Sequence, residues 1–282
     1  MPRSVSTTFT FSNTLTPEQS RFFQTHGVLH FKGFVSPETV QLFIREINRV
    51  KEDFVSRNVT KVNGIPLKYG YESSGKPTIQ RLAFASQFSS VLSEFLKDRR
   101  FTSLLPLLGD YQGRIGEHEK DGLVVNHYEN TRFSSFKQLG WHTDSPRDLF
   151  LGSRIMPMLN VGLHLDDCPV ENGGLRVLPG THKQNLFSLF FKKKYFIDNK
   201  PDKNEVGFDI HAGDLTIHNG NVWHRVEQSP FTGEKSRRRV MYIPIITGEY
   251  SPKHAKSSTP FYHRLAQIKL PQSAWKQVPQ QI

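Results

Sequence analysis

From about residue 111 onward the sequence breaks into short apolar or alternating runs separated by turn residues, at 123–130, 155–165, 174–178, 206–217, 221–227 and 237–246. Successive side chains point to opposite faces of an extended chain, so runs of this length and pattern read as strands. The first hundred residues have another texture. Thr16-Pro17-Glu18-Gln19 carries a capping box, with Pro17 at the first helical position and Gly27 where the helix should stop. Val28–Phe31 follows as a short strand. Ser36-Pro37-Glu38 opens a second helix, whose apolar positions Val40, Phe43, Ile44, Ile47, Val50 and Phe54 recur at helical spacing. Residues 83–108 read as helical again until Pro106 and Gly109. Helices lead and strands follow, without the alternation that builds a parallel α/β sheet. The pattern predicts a mainly β protein with flanking α-helices and a barrel or sandwich core.

A length of 282 residues suits one large domain or two small ones. The reading adopted is a single domain over 1–282, with mainly helical support at 1–110, the β core at 111–247 and a C-terminal extension at 248–282. The one cysteine, Cys168, excludes an internal disulfide and a thiolate metal cluster, which makes a reducing, cytoplasmic setting the default. Met1–Thr8 has no apolar stretch of signal-peptide length, and no run of about 18 uncharged apolar residues occurs, so neither a secretion signal nor a membrane span is read. Lys and Arg outnumber Asp and Glu by 37 to 26, a net charge of +11, with dense runs at Lys192–Lys194 and Arg237–Arg239. Such an excess bears on association and hints at anionic partners. No interleaved basic and aromatic strip accompanies it, so nucleic acid is disfavoured as a partner.

With 12 histidines, spacing must select candidates. A site for Fe(II) that must also bind a co-substrate and O2 needs few protein ligands, and two imidazoles with one carboxylate leave positions open. His-x-Asp on an extended segment supplies two of the three from one side of the chain. Two such pairs occur, His142-Thr143-Asp144 and His164-Leu165-Asp166, and spacing alone does not choose between them. The second closes an apolar run and enters a polar turn, where carboxylates usually do structural work. The first follows Trp141 in a segment with no evident strand of its own. The third ligand must come from a distant strand, with His218 and His224 as candidates on either side of Asn219-Gly220.

Together these residues resemble a family, the Fe(II)- and 2-oxoglutarate-dependent oxygenases, in their phytanoyl-CoA dioxygenase-like branch. The resemblance covers roughly residues 14–247. It rests on Leu15-Thr16-Pro17-Glu18-Gln19 with Gly27 and Gly33, on His142-x-Asp144, on Leu165-Asp166-Asp167 to Glu171-Asn172-Gly173-Gly174, on Leu178-Pro179-Gly180-Thr181-His182-Lys183, and on Gly213-Asp214 ten residues before His224. It implies a double-stranded β-helix (jelly-roll, cupin-like) core, Fe(II) held by His142, Asp144 and His224, and 2-oxoglutarate with O2 as co-substrates. Retention of Asp144 disfavours halogenation, because related halogenases put a small residue there. The far carboxylate of 2-oxoglutarate needs a fixed cation, which in the family is an Arg on the strand after the distal His; Arg237 matches best and Arg239 is the runner-up. Alternation places 237 and 239 on one face and 238 on the other. The resemblance also makes Asn126 and Tyr128, on the strand 124–130, candidates for orienting 2-oxoglutarate.

The expected reaction is hydroxylation of an unactivated C–H of a small molecule, with release of succinate and CO2. Desaturation, ring closure or epimerisation would use the same triad. The Phe- and Lys-rich excursion at 185–205 reads either as a solubilising loop or as a lid for an anionic or acyl-bearing substrate. The alternatives are an oxidative demethylase acting on nucleic acid, and a non-catalytic jelly-roll binding protein that kept the triad.

Overall fold

The computed structural model describes residues 4–134, 136–151, 154–260 and 263, so Met1–Arg3 and most of the expected C-terminal extension lie outside the described residues. The chain begins with β1 (Phe9–Thr10), α1 (Pro17–His26), β2 (Val28–Lys32) and α2 (Pro37–Ser56), then a small hairpin of β3 (Lys61–Val62) and β4 (Ile65–Pro66). β5 (Lys68–Tyr71), β6 (Pro77–Leu82), α3 (Ser90–Leu96), α4 (Arg99–Thr102) and β7 (Arg114–Ile115) follow. The second half holds β8 (Val124–Tyr128), β9 (Leu139–His142), β10 (Met158–His164), β11 (Gly174–Val177), α5 (Leu186–Phe191), β12 (Val206–Gly207), β13 (Leu215–Asn219), β14 (His224–Glu227) and β15 (Arg238–Ile246).

The larger sheet runs β1-β2-β13-β10-β15-β8-β6-β5, with β7 also on β15, and the smaller runs β12-β11-β14-β9. All pairs in both sheets are antiparallel except β1 with β2. Alternation along β15 shows how the layers meet. Met241, Ile243 and Ile245 join the core formed with α1, α2 and α3, whereas Val240 and Tyr242 pack with Val226 of β14 and Leu139 of β9. The larger sheet thus has helices on one face and the smaller sheet on the other, the mainly β jelly-roll arrangement that the sequence implied.

The helical caps form as expected. Thr16 accepts from the Gln19 N–H at 3.2 Å while the Gln19 side chain accepts from the Thr16 N–H at 2.9 Å. Gly27 ends α1 at φ 76, and a Cβ there would lie 2.4 Å from His182 Nδ1, so both conformation and space require glycine. Besides the expected strand β2, the 1–110 region contributes β1, β5 and β6, which extend the larger sheet. The helix expected over 83–108 is broken: Ser89 caps α3, Asp98 caps α4, and 3-10 turns at Ala85–Phe88 and Leu105–Leu108 flank them. Among the described residues no helix is long and apolar enough to cross a membrane.

A buried polar row lies between α2 and the sheet. Lys51 Nζ is 3.4 Å from His127 Nδ1 on β8, and His127 Nε2 is 3.0 Å from Glu129 Oε2. Burial, with the Lys51 charge beside it, lowers the pKa of His127 to about 4 against the pull of Glu129. Between pH 6.5 and about 4 the unfolded chain binds a proton at this residue and the folded chain does not, so stability falls as pH drops through that window. Thermal melts of wild type and His127→Gln over pH 4–7 should differ in slope, with the wild type losing up to about 3 kcal/mol more than the variant. Parallel curves would show that His127 is not held neutral by the fold.

Candidate metal centre

β9 ends at His142 and β14 begins at His224, and the two residues are directly opposed in antiparallel register. Their ring centroids are 4.0 Å apart. His142 therefore closes a strand, contrary to the expectation that its segment has none, and the register delivers both imidazoles to one point. Asp144 lies two residues beyond. Its N–H donates to the Gly220 carbonyl at 2.8 Å, and that of Ser145 donates to the same oxygen at 3.2 Å, so the turn leading into β14 also holds the carboxylate segment. A Cβ on residue 220 would meet Met158 Cγ at 2.4 Å and Ser145 Oγ at 2.6 Å, which explains the glycine.

One ligand atom from each of His142, Asp144 and His224 lies within 4.8 Å of the other two. Nδ1 of His142 is 2.7 Å from the Gly140 carbonyl, and Nδ1 of His224 is 3.0 Å from that of Val222. A carbonyl can only accept, so each Nδ1 carries a proton, and in the neutral ring that leaves the lone pair on Nε2. Burial, reinforced by His142 and His218, holds His224 neutral far below the usual imidazole range. Burial alone would raise the Asp144 pKa, but His224, His218 and His142 together hold it well below the ordinary carboxylate range. Asn160 on β10 donates to Asp144 Oδ2 at 2.9 Å, and His218 Nε2 lies 3.6 Å from that oxygen. Two neutral imidazoles and one oriented carboxylate fit a divalent transition metal with open positions, and of these metals iron(II) suits the set for oxygen chemistry.

The other pair, His164 and Asp166, is occupied elsewhere. His164 Nε2 is 2.9 Å from Thr216 Oγ1, and Asp166 accepts from the Arg239 backbone N–H at 2.7 Å and from Arg239 Nε at 2.8 Å. Asp166 thus holds the Arg239 guanidinium, whose charge is felt by Lys51 and His127 on the helix side of the sheet. Arg237 stands at the bend before β15, partly exposed, with Nη1 3.4 Å from Glu234 Oε1. Neither Arg237 nor Arg239, the two arginines expected to hold 2-oxoglutarate, faces the space between the sheets; the alternation of β15 turns Arg238 there.

Arg238 pairs in register with Tyr128 and its guanidinium carbon lies 5.7 Å from that ring's centroid. Nη1 donates to the Glu227 carbonyl at 2.6 Å and Nη2 to that of Lys137 at 3.2 Å, while Nε is buried without an acceptor. No carboxylate pairs with Arg238 among the described residues, and burial lowers its pKa. Tyr128 and Tyr242 feel both the Arg238 and the Asp144 charges, so both phenols lie within reach of the two groups. Asn126 shares this inner face: Nδ2 donates to Tyr128 Oη at 3.2 Å and Oδ1 is left without a donor. The sequence reading passed over Asn160, Tyr242 and Arg238. For the last a signal existed, since the apolar run Met241, Ile243, Ile245 marks the helix-facing positions and leaves the even-numbered residues inward.

This fold and triad define a dioxygenase class of enzyme, and the chain belongs to the phytanoyl-CoA dioxygenase (PhyH) family, whose model matches residues 23–238. No curated protein matches it in sequence. The fold is similar to that of the non-heme alpha ketoglutarate dependent epimerase SnoN from nogalamycin biosynthesis, at 17% identity and a TM-score of 0.59 over 84% of this chain and 85% of that one. The carbocyclase SnoK from the same biosynthesis has 17% identity and a TM-score of 0.60 over 92% and 93%. HygX from Streptomyces hygroscopicus, solved with iron and with nickel and 2-oxoglutarate, has 16% identity and a TM-score of 0.58 over 85% and 89%.

Asn160 orients a ligand without touching the metal, so its loss should weaken binding and spare the fold. Asn160→Ala is expected to bind Mn(II) about 10- to 100-fold more weakly by equilibrium dialysis, with an unchanged circular dichroism spectrum. Wild-type affinity in the variant would remove Asn160 from the site.

Proposed function

We propose that the protein is an Fe(II)- and 2-oxoglutarate-dependent dioxygenase that oxidises an unactivated C–H of a small molecule, most simply by hydroxylation, releasing succinate and CO2. The observation that carries this reading is the His142–Asp144–His224 triad together with Arg238, a buried guanidinium with no carboxylate among the described residues, on the same inner side of the larger sheet. Bound iron, with 2-oxoglutarate and O2, supplies the oxidising chemistry.

The chain's own residues supply the rest. His142, Asp144 and His224 hold the metal, and one carboxylate against two neutral imidazoles leaves it cationic toward a dicarboxylate. Arg238 takes the far carboxylate of 2-oxoglutarate, its free Nε offering the donor that the two backbone carbonyls leave unused. Tyr128 and Asn126 line the path and give hydroxyl and amide groups to orient the co-substrate. Val226 and Val240 close the walls between the sheets and exclude water. The single buried Cys168 suits a reducing, cytoplasmic setting. The relatives SnoN and SnoK are an epimerase and a carbocyclase, so this scaffold also supports outcomes other than hydroxylation.

The anchor assignment is tested by calorimetry of 2-oxoglutarate binding to the Mn(II)-loaded protein. Arg238→Gln should raise the dissociation constant about 100-fold, close to 2.7 kcal/mol, whereas Arg237→Ala should stay within about threefold. The reverse pattern would return the role to Arg237.

A further inference from the structure

The excursion at 185–205 is fastened to the metal-bearing strand. The Trp141 N–H donates to the Asp198 carbonyl at 2.8 Å, the Phe196 N–H to the Trp141 carbonyl at 2.9 Å, and Trp141 Nε1 to the Lys200 carbonyl at 2.8 Å. Lys193 pairs with Asp202 at 2.6 Å and sits 5.2 Å from the centre of a Trp141 ring. The turn can lie this close because residue 140 has no side chain: a Cβ there would be 2.8 Å from both C and O of Phe196.

This fastening puts Phe196 in an unfavourable position on two counts. Its φ is 59, in the left-handed region that costs a bulky residue on the order of 1–3 kcal/mol. The residue is also 57% exposed. Glycine would relieve the first and any polar residue the second, so neither feature serves folding. What the ring does touch is a metal ligand: it stacks on His142 with centroids 4.9 Å apart and planes at 28°. An exposed aromatic residue, with Tyr195 tilted beside it at 6.1 Å, is thus held next to the proposed metal position, on a backbone fixed by the hydrogen bonds to Trp141. An exposed aromatic face prefers an apolar partner, and best of all another ring in offset or edge contact.

We propose that Phe196 is the platform on which the substrate lies beside the metal, and that the substrate is an apolar, ring-bearing small molecule. The inference rests on the triad being a metal centre. Placement over His142 brings a C–H of a stacked ring system, or of a substituent on it, to the open side of the site. Thr143 and Tyr195, joined hydroxyl to hydroxyl at 2.7 Å, brace the platform from its flank.

The test is 19F nuclear magnetic resonance of fluorobenzene with the full-length protein carrying 2-oxoglutarate and either Mn(II) or Zn(II). With Mn(II) the wild type should broaden the probe's line severalfold beyond the Zn(II) control. Phe196→Gly should reduce the broadening to the control level and Phe196→Tyr should keep it. Phe187→Ser with Phe191→Ser, which removes the other exposed ring pair of the excursion, should also keep it. Phe196→Gly should melt no lower than wild type, since glycine accepts the left-handed conformation; a merely structural ring would lower the midpoint. Broadening in Phe196→Gly equal to wild type, or broadening lost only in the Phe187/Phe191 variant, would overturn the proposal. Mn(II) occupancy is read separately by electron paramagnetic resonance. Failure of Mn(II) to bind would defeat the metal-centre reading itself, whereas bound Mn(II) with no dependence on the Phe196 ring would defeat only the platform.

Discussion

The antiparallel register that sets His142 opposite His224 is the constraint on which the rest of the site depends. Two strands that exchange backbone hydrogen bonds fix the separation of their paired residues, so the imidazoles converge without any help from loops. Asp144 then needs only to leave β9 in the right direction, and the Gly220 carbonyl provides that by accepting from Asp144 and Ser145 together. Gly220 belongs to the turn that delivers β14, so one local structure fixes both the carboxylate and the distal histidine. The carbonyls of Gly140 and Val222 complete the design by dictating which ring nitrogens face the metal.

A second constraint is the two-sidedness of the larger sheet. Three successive arginines at the start of β15 meet three different surroundings. Arg237 stands before the strand beside Glu234, Arg239 faces Asp166 and the α2 side, and Arg238 enters the space between the sheets, where it meets two backbone carbonyls and the Cys168 thiol but, among the described residues, no carboxylate. A buried guanidinium without a counter-ion is costly to maintain. The cost is accounted for if a dicarboxylate co-substrate supplies the missing charge. The same parity separates His127, with Lys51 and Glu129 on the helix side, from Asn126 and Tyr128 inside.

Much of this was legible in the sequence because the signals are local. A capping box, a glycine stop and strand-length alternation are satisfied within a few residues, and Thr16, Gly27 and, β9 apart, the strands from β8 onward form close to where they were read. His-x-Asp with a distant histidine was likewise readable as a ligand pattern, and the family relationship selected among the candidates. The strands β5 and β6 were not read, because short runs such as Lys68–Tyr71 acquire strand structure only by pairing with the edge of a sheet. Arg238 does not stand out in the sequence, because the position relative to Val240 and Met241 points to Arg237 and only the facing of β15 in the fold separates the three. Asn160 and Phe196 carry no local mark at all: the first matters through a carboxylate 16 residues away and the second through a loop that folds back onto Trp141.

The central claim is that the opposed histidines and Asp144 form a working iron site that receives 2-oxoglutarate directly. The most direct measurement is an anaerobic absorption titration of metal-free protein with Fe(II) and then 2-oxoglutarate. The account predicts a weak visible charge-transfer band that grows to one equivalent of 2-oxoglutarate and is absent in Asp144→Ala. Folded wild-type protein that binds Fe(II) yet shows no band, or an Asp144→Ala variant that shows the full band, would contradict it.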